Sequence, residues 1–376
     1  MEPHRKLLPD LRLTFSHSSI VSPQIIPYGI LDRSETTVSD KTYKAQYRDW
    51  AQVCAPEADL HRQSKRKFIS PKSLTRADRQ LDAYLIHHHA LALDPCASPK
   101  LMWLHPTFIS DPPPSDFQPV PRMATSKLAI GAEVLLPFER TNALASFVHW
   151  DNKLERDAVF WRGTPPPLLS ADLTDESTIL PQAYRLLAQT QNPLPQTFQR
   201  TFYPPSDPDD DQYGYYFGGQ SLGKIGSTNQ LWDTIGLVDG AFNDKVHCTG
   251  QTGCEDFVKL FPTKPKGESL SKHKYALILD GESPWEAMRI GTVVFYASAE
   301  LQPWQDHALP WKHYVPVQPD FSDLASILLF FRRYDGEGRL MAENAAAFAK
   351  EYLQEDNQTK MVVAGLMEWG KIWGRE

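Results

Sequence analysis

Cysteine is scarce in this sequence: Cys54, Cys96, Cys248 and Cys254 are the only four in 376 residues. That is too few for a disulfide framework, and no CxxC spacing is present. Cys248 and Cys254 flank a short glycine-containing loop, CTGQTGC, which they either bridge in an oxidising compartment or leave open as free thiols. His87-His88-His89 and His247 beside Cys248 lack a second ligand pair at zinc spacing, so no metal site is expected. Basic charge is also short. Lys and Arg number 39 against 46 Asp and Glu, giving a net charge of −7 and a pI near 6.0. A broad nucleic-acid surface needs a basic footprint that this chain lacks, whereas a nucleotide-sized ligand needs only a local cationic patch.

Long apolar runs are absent too. The longest, Leu324 to Phe331, is far below the ~18 residues that span a bilayer. The opening MEPHRKLLPDLRLTF is interrupted by Pro9, Asp10 and Arg12, so no signal peptide and no transmembrane segment are expected. No GxGxxG follows a strand-like run, which argues against a dinucleotide-dependent dehydrogenase. What is abundant is proline, 31 residues, and tryptophan, 10, implying long ordered loops and aromatic surfaces. At 41% hydrophobic and 23% charged, the chain has ordinary soluble, globular composition and is long enough for two domains sharing a cleft.

The most informative stretch runs from Lys272 to Asp323. Tyr275 to Leu279 form an apolar run of strand length that stops at Asp280-Gly281. Ser283-Pro284-Trp285-Glu286 then has the pattern of a capping box with proline at the first helical position. Gly291 closes this short helix, and Thr292 to Tyr296 resume a strand, so the pattern predicts a βαβ unit. A helix start at a parallel strand end suits a phosphate group, and Arg289 on the same helix supplies a guanidinium fork. Upstream, Ala158 to Thr164 place Arg162 at a strand end beside Gly163, which lets a ligand approach the backbone closely. Farther upstream, the apolar run Leu101 to Leu104 leads into HPTFISDPPPSDF, where Asp111 sits before Pro112 to Pro114. Each residue also has a plainer reading: Ser283 as a cap, Arg289 as a solvated cation, Arg162 in an ion pair, Asp111 in a turn. Asp209-Asp210-Asp211 resembles an Asp-x-Asp metal motif, but a run of aspartates before Tyr-Gly is more often a solvated loop. Downstream, Asp320 or Ser322 is expected to cap a helix carrying Leu324, Ile327, Leu328 and Phe331 on one face, and a second helix is expected after Gly338.

The segments KYALILDG, SPWEAMR, GTVVFY and WKHYVPVQPDFSDL, with the upstream FWRGT, resemble the capsule-associated protein family, glycosyltransferase family 90, which includes the protein O-glucosyltransferases. The resemblance runs with gaps from about Leu101 to about Trp369. It departs from the family between Arg289 and Gly291, where the family has about one more helical turn. The resemblance implies an α/β, GT-B-like fold of two facing Rossmann-like domains. An acceptor side would span residues 1–155, a donor side 156–340, and C-terminal helices 341–376 would return to the first domain. It implies transfer of a sugar, glucose or xylose, from a UDP-sugar donor to a hydroxyl acceptor on a protein or glycan, inverting and metal-independent, with no cofactor beyond the donor substrate. The alternative is a catalytically inactive nucleotide-sugar or glycan-binding protein on the same fold. Asp111 best matches the family's catalytic base, with Asp116 as its rival. Arg162, Gly163, Ser283, Trp285 and Arg289 are the donor-binding candidates. Family relatives work in the ER or Golgi lumen, so a chain without signal or anchor is either cytosolic or a truncated form.

Overall fold

The computed structural model describes residues 15–16, 54–59, 85–98, 101, 123–131, 133–137, 146–153, 155–168, 181–189, 216–217, 220–221, 237–261, 263–264, 270–319, 321 and 323–373. At its centre is a five-stranded, wholly parallel sheet. The strands, in chain order, are β1 (Glu155–Gly163), β2 (Val238–Phe242), β3 (His273–Ile278), β4 (Val293–Tyr296) and β5 (Val315–Pro316). Their spatial order is β5-β4-β3-β1-β2. The chain therefore adds β2 on one side of β1, then crosses back to place β3 on the other and builds outward from there. This is a doubly wound, Rossmann-like order with its switch point between β1 and β3.

The register shows why these segments pair as they do. Val159 and Phe160 of β1 stand opposite Tyr275 and Ala276 of β3, and Val293 to Tyr296 run beside Tyr275 to Ile278. Both faces of β3 and β4 are buried, as a parallel sheet covered on two sides requires. Alternation divides them. Tyr275, Leu277, Val293 and Phe295 join one core with α1 (Gln182–Gln189) and α4 (Leu324–Arg333), whereas Ala276, Ile278, Val294 and Tyr296 join another with α3 (Trp285–Arg289) and α5 (Asp335–Tyr352). A short α2 (Cys254–Val258) precedes β3 and adds Phe257 to the first core.

Three local expectations need correction. The helix after β3 has Pro284 as its N-cap with no side-chain cap; Ser283 Oγ is 3.5 Å from the Trp285 amide, too long for a capping bond. Asp323 is the N-cap of α4, but its Oδ1 accepts from Gln318 N at 2.9 Å and holds the preceding loop instead; Asp320 and Ser322 lie outside the described residues. The next helix begins at Asp335, ahead of Gly338. Gly338 lies inside it because the Trp150 indole packs there, 3.1 Å from where a Cβ would stand. By contrast, Gly281 and Gly291 bracket α3 as expected, at φ 77° and 73°, conformations that glycine adopts without strain.

The final helix, α6 (Glu355–Trp373), places Val362 and Leu366 against Met123 and Leu136. Met123–Ala124 forms a small parallel sheet with Phe15–Ser16 and Val134–Leu135, and Lys127–Leu128 pairs antiparallel with Glu300–Leu301. All four cysteines are paired. Cys248 is bonded to Cys254 and Cys54 to Cys96, so the free-thiol alternative does not hold. The second bridge was not legible because 42 residues separate its partners.

Candidate functional site

In an open parallel sheet, neighbouring connections diverge at the switch point and leave a crevice outside the carboxyl ends of the strands. Here the switch point, where such a crevice would open, lies between the ends of β1, Trp161-Arg162-Gly163, and the turn after β3, Asp280-Gly281-Glu282-Ser283. Two stretches more than a hundred residues apart in sequence meet directly. The Trp161 indole N–H donates to Glu282 Oε1 at 3.0 Å and to Oε2 at 3.2 Å, and the Leu279 amide donates to Oε2 at 2.9 Å. Burial pushes the Glu282 carboxyl up to about 7; these two donors pull it down and the charge of Asp280 adds to the rise. A carboxyl group that gains and loses its proton near neutrality at a strand edge is an unusual component.

The remaining floor of the crevice is a tight polar network. Asp280 Oδ1 accepts from the Ala299 amide at 2.7 Å and from Ser298 Oγ at 3.1 Å. The Asp280 amide donates to Gln182 Oε1 at 3.3 Å, while Gln182 Nε2 donates to the carbonyls of Ala297, at 2.6 Å, and Pro319, at 3.2 Å. The start of α1 is thereby tied to the ends of β3, β4 and β5. On the far side of Ser298, its carbonyl lies 3.1 Å from Nε2 of the buried His89, whose burial lowers it to about 4 and keeps the ring neutral. That bond requires the proton on Nε2.

The anticipated residues are not all brought together. Gly163 is at the crevice, but the space its missing Cβ leaves is taken by protein: an added Cβ would overlap Trp161 Cζ2 and stand 2.8 Å from Glu282 Oε1. Ser283 is exposed on the turn after Glu282. Arg162 points to the opposite face of β1 from Trp161, as successive strand residues do. Its guanidinium donates to the Asp239 carbonyl at 2.6 Å and to Asp239 Oδ1 at 3.0 Å, over the Phe160 ring. Lys264 Nζ reaches the same Oδ1 at 2.8 Å. Burial of Asp239 opposes its charge, but Lys264 and Arg162 outweigh this and hold its carboxyl below the usual range. Only 7% of the Arg162 side chain is exposed, so in this state it serves an ion pair.

Trp285 is a core residue. Its ring stacks on Tyr352 at 5.0 Å and meets Trp304 edge-on at 5.9 Å, beneath α5 and away from the crevice. Arg289 ends α3, which runs from the carboxyl edge of β3 back to the amino edge of β4, a separation of about 13 Å along four strand residues. There it lines a cavity of about 490 Å³ with Phe147, Lys350, Leu353 and Gln354. Asp111 and Asp116 lie outside the described residues, as do Asp209 to Asp211. Among the described residues no three His, Cys, Asp or Glu side chains are grouped as a metal site, and no helix is long and apolar enough to cross a membrane.

Glu282 and Asp239 were not singled out from sequence. A signal for Glu282 exists, an acidic pair straddling a glycine at a strand end, LDGE; for Asp239 the sequence offers none, because its partner Arg162 is 77 positions away.

No family model matches the chain. Over 83 residues, 22% of this chain, it is 33% identical to protein O-glucosyltransferase 1 of Homo sapiens. Over 54 residues, 14% of the chain, it is 43% identical to uncharacterized protein 035R of Invertebrate iridescent virus 3. These matches span only 21% of the human protein and 5% of the viral one. The likeness to a glucosyltransferase is thus weak and partial, resting on about a fifth of either chain.

Proposed function

We propose that this protein is a glycosyltransferase that moves a sugar, glucose or xylose, from a UDP-sugar to a hydroxyl of a protein or glycan, with inversion and without a metal. The observation that carries this reading is that FWRGT and KYALILDG, two segments of the family resemblance, lie on the paired strands β1 and β3, which flank the switch point of a doubly wound sheet. Residues 156–340 would form the donor half of a GT-B pair, residues 1–155 the acceptor half, and residues 341–376 a helical return to that half. Asp111, or its rival Asp116, would take the proton of the acceptor hydroxyl as its oxygen attacks the anomeric carbon and UDP departs with the bonding pair. Arg162 would exchange Asp239 for the diphosphate while Lys264 keeps Asp239 neutralised, and Ser283 would contribute a hydroxyl at the crevice edge. The two disulfides fit an oxidising lumen such as the ER or Golgi.

A second reading, a nucleotide-sugar or glycan-binding protein without turnover, is favoured by the burial of Arg162 in its ion pair and by the position of Arg289 at the other sheet edge. Incubation with a panel of UDP-sugars and a chelator, monitored for UDP release and for thermal shift with UDP, separates the two. Release without divalent ions supports the transferase, and its loss in Asp111→Asn, by about 10² to 10⁴ in turnover, would identify the base. UDP binding with no release from any donor supports the second reading. No response to UDP at millimolar concentration rules out the transferase and the nucleotide-sugar binder and leaves only a glycan binder.

A further inference from the structure

Glu282 differs from the other acidic residues of the crevice in what it joins. Its carboxylate takes the Leu279 amide at the end of β3 and the Trp161 indole of β1, so one group spans the two strands that diverge at the switch point. Oε2 accepts from both donors, leaving Oε1 with only a share of the indole proton. Oε1 is also the atom that faces Gly163. Among the described residues the charged and polar groups around it are few. Asp280 lies on its own turn, β1 presents the neutral Trp161 indole while Arg162 is turned away onto Asp239, and the loop after β4 presents the neutral Gln302 amide, 3.4 Å from the Glu282 carbonyl. Among the described residues no cation pairs with it.

We propose that Glu282 is a positioning residue, a proton-dependent clasp that holds the carboxyl ends of β1 and β3 together over Gly163 and makes anion binding in the crevice depend on its protonation. With its proton, carried on Oε1, the group is neutral and stays, half-buried, between the strand ends. Without it, a half-buried negative charge faces the crevice with two N–H donors and, among the described residues, no counter-ion, so it draws in water and repels a phosphate. Burial places this change at about 7. An anion entering the crevice raises the proton affinity of Glu282, so binding takes up a proton. Affinity then falls as pH rises through that range, by up to about tenfold per pH unit.

The test uses the full chain with ¹⁵N-labelled indoles. The Trp161 resonance, assigned by its loss in Trp161→Phe, should titrate with a single midpoint near 7 in the ligand-free protein. It should be flat in Glu282→Gln, which keeps an accepting oxygen for both donors. If Trp161→Phe does not fold, the ¹³C carboxyl shift of Glu282, assigned by Glu282→Gln, reads the same proton. A midpoint at the ordinary glutamate value, or an unchanged titration in Glu282→Gln, overturns the proposal. A second arm, UDP affinity at pH 6 and pH 8, rests on the functional reading above. The parent should lose affinity relative to Glu282→Gln, which corrects for the titration of UDP itself, and equal pH dependence in both overturns the clasp. Absence of UDP binding at either pH refutes the functional reading, and the indole titration then decides the clasp alone.

Discussion

Gly163→Ala is the most direct probe of the crevice, because two readings of this glycine predict different losses. The new methyl would overlap Cζ2 of Trp161 and stand 3.1 Å from its Cε2 and 2.8 Å from Glu282 Oε1, all closer than ordinary contact. Neither neighbour can retreat cheaply. Trp161 is 2% exposed, packs edge-on against Phe242 at 5.6 Å, and is bonded to Glu282. The strand end is also held, since Gly163 pairs with Phe242 and its carbonyl accepts from Asn243 N at 2.9 Å. Overpacking at such a site costs about 2–3 kcal/mol. For a domain of this size that lowers the melting temperature by about 4–12 °C. Gly240→Ala is the internal control. Its Cβ would meet Leu187 Cδ2 at 2.9 Å, the tip of a flexible side chain, so the cost should stay under about 1 kcal/mol. Melts of parent and both variants by circular dichroism give the comparison. If Gly163→Ala melts with the parent, or Gly240→Ala is the weaker of the two, the close approach of β1 to Glu282 is wrong. A Gly163→Ala chain that keeps its stability but no longer binds UDP would return this glycine to the role of ligand approach.

Glu282→Gln should change how stability responds to pH. The folded carboxyl lies at about 7, above the ordinary 4.5, so the folded state binds more protons between these values and stability falls as pH rises through them. The full effect is about 3 kcal/mol, and the variant should lose this slope and melt above the parent at pH 8; a slope unchanged in Glu282→Gln would assign it to another group. Arg162→Ala should lower stability by about 1–3 kcal/mol, less than for a lone buried pair because Lys264 still reaches Asp239. The Asp239 carboxyl is depressed, so the stability it contributes is present above its ordinary range and lost as pH falls; an unshifted melt in Arg162→Ala, with UDP binding abolished, would instead assign the guanidinium to the ligand. Removing Cys54–Cys96 as a double Ser variant should cost about 4 kcal/mol, and removing Cys248–Cys254 about 2, because the first closes the longer loop; chemical denaturation of each variant checks the order.

The sequence alone determined the local framework of the second half. The apolar runs around Tyr275 and Val293, the glycines at 281 and 291, and the 3-4-7 spacing of Leu324, Ile327, Leu328 and Phe331 are short-range patterns, and the elements formed where those patterns lie. A strand or a turn is specified by residues a few positions apart, so its signal survives without knowledge of the fold. Capping was the weak point: Ser283 gives way to Pro284 as N-cap, and the cap of α4 falls on Asp323 and not on Asp320 or Ser322, a choice that only the surrounding backbone makes. The site itself depended on tertiary structure. The order β2-β1-β3 brings Trp161 against Glu282, 121 positions away, and Arg162 against Asp239, 77 positions away. The return of α3 to the amino edge of the sheet carries Arg289 away from Gly163, although both were expected at one ligand. Residue type and spacing did not single out Glu282. Only its place between two strand ends, half-buried with two N–H donors and with no cation among the described residues, moves its proton into the neutral range.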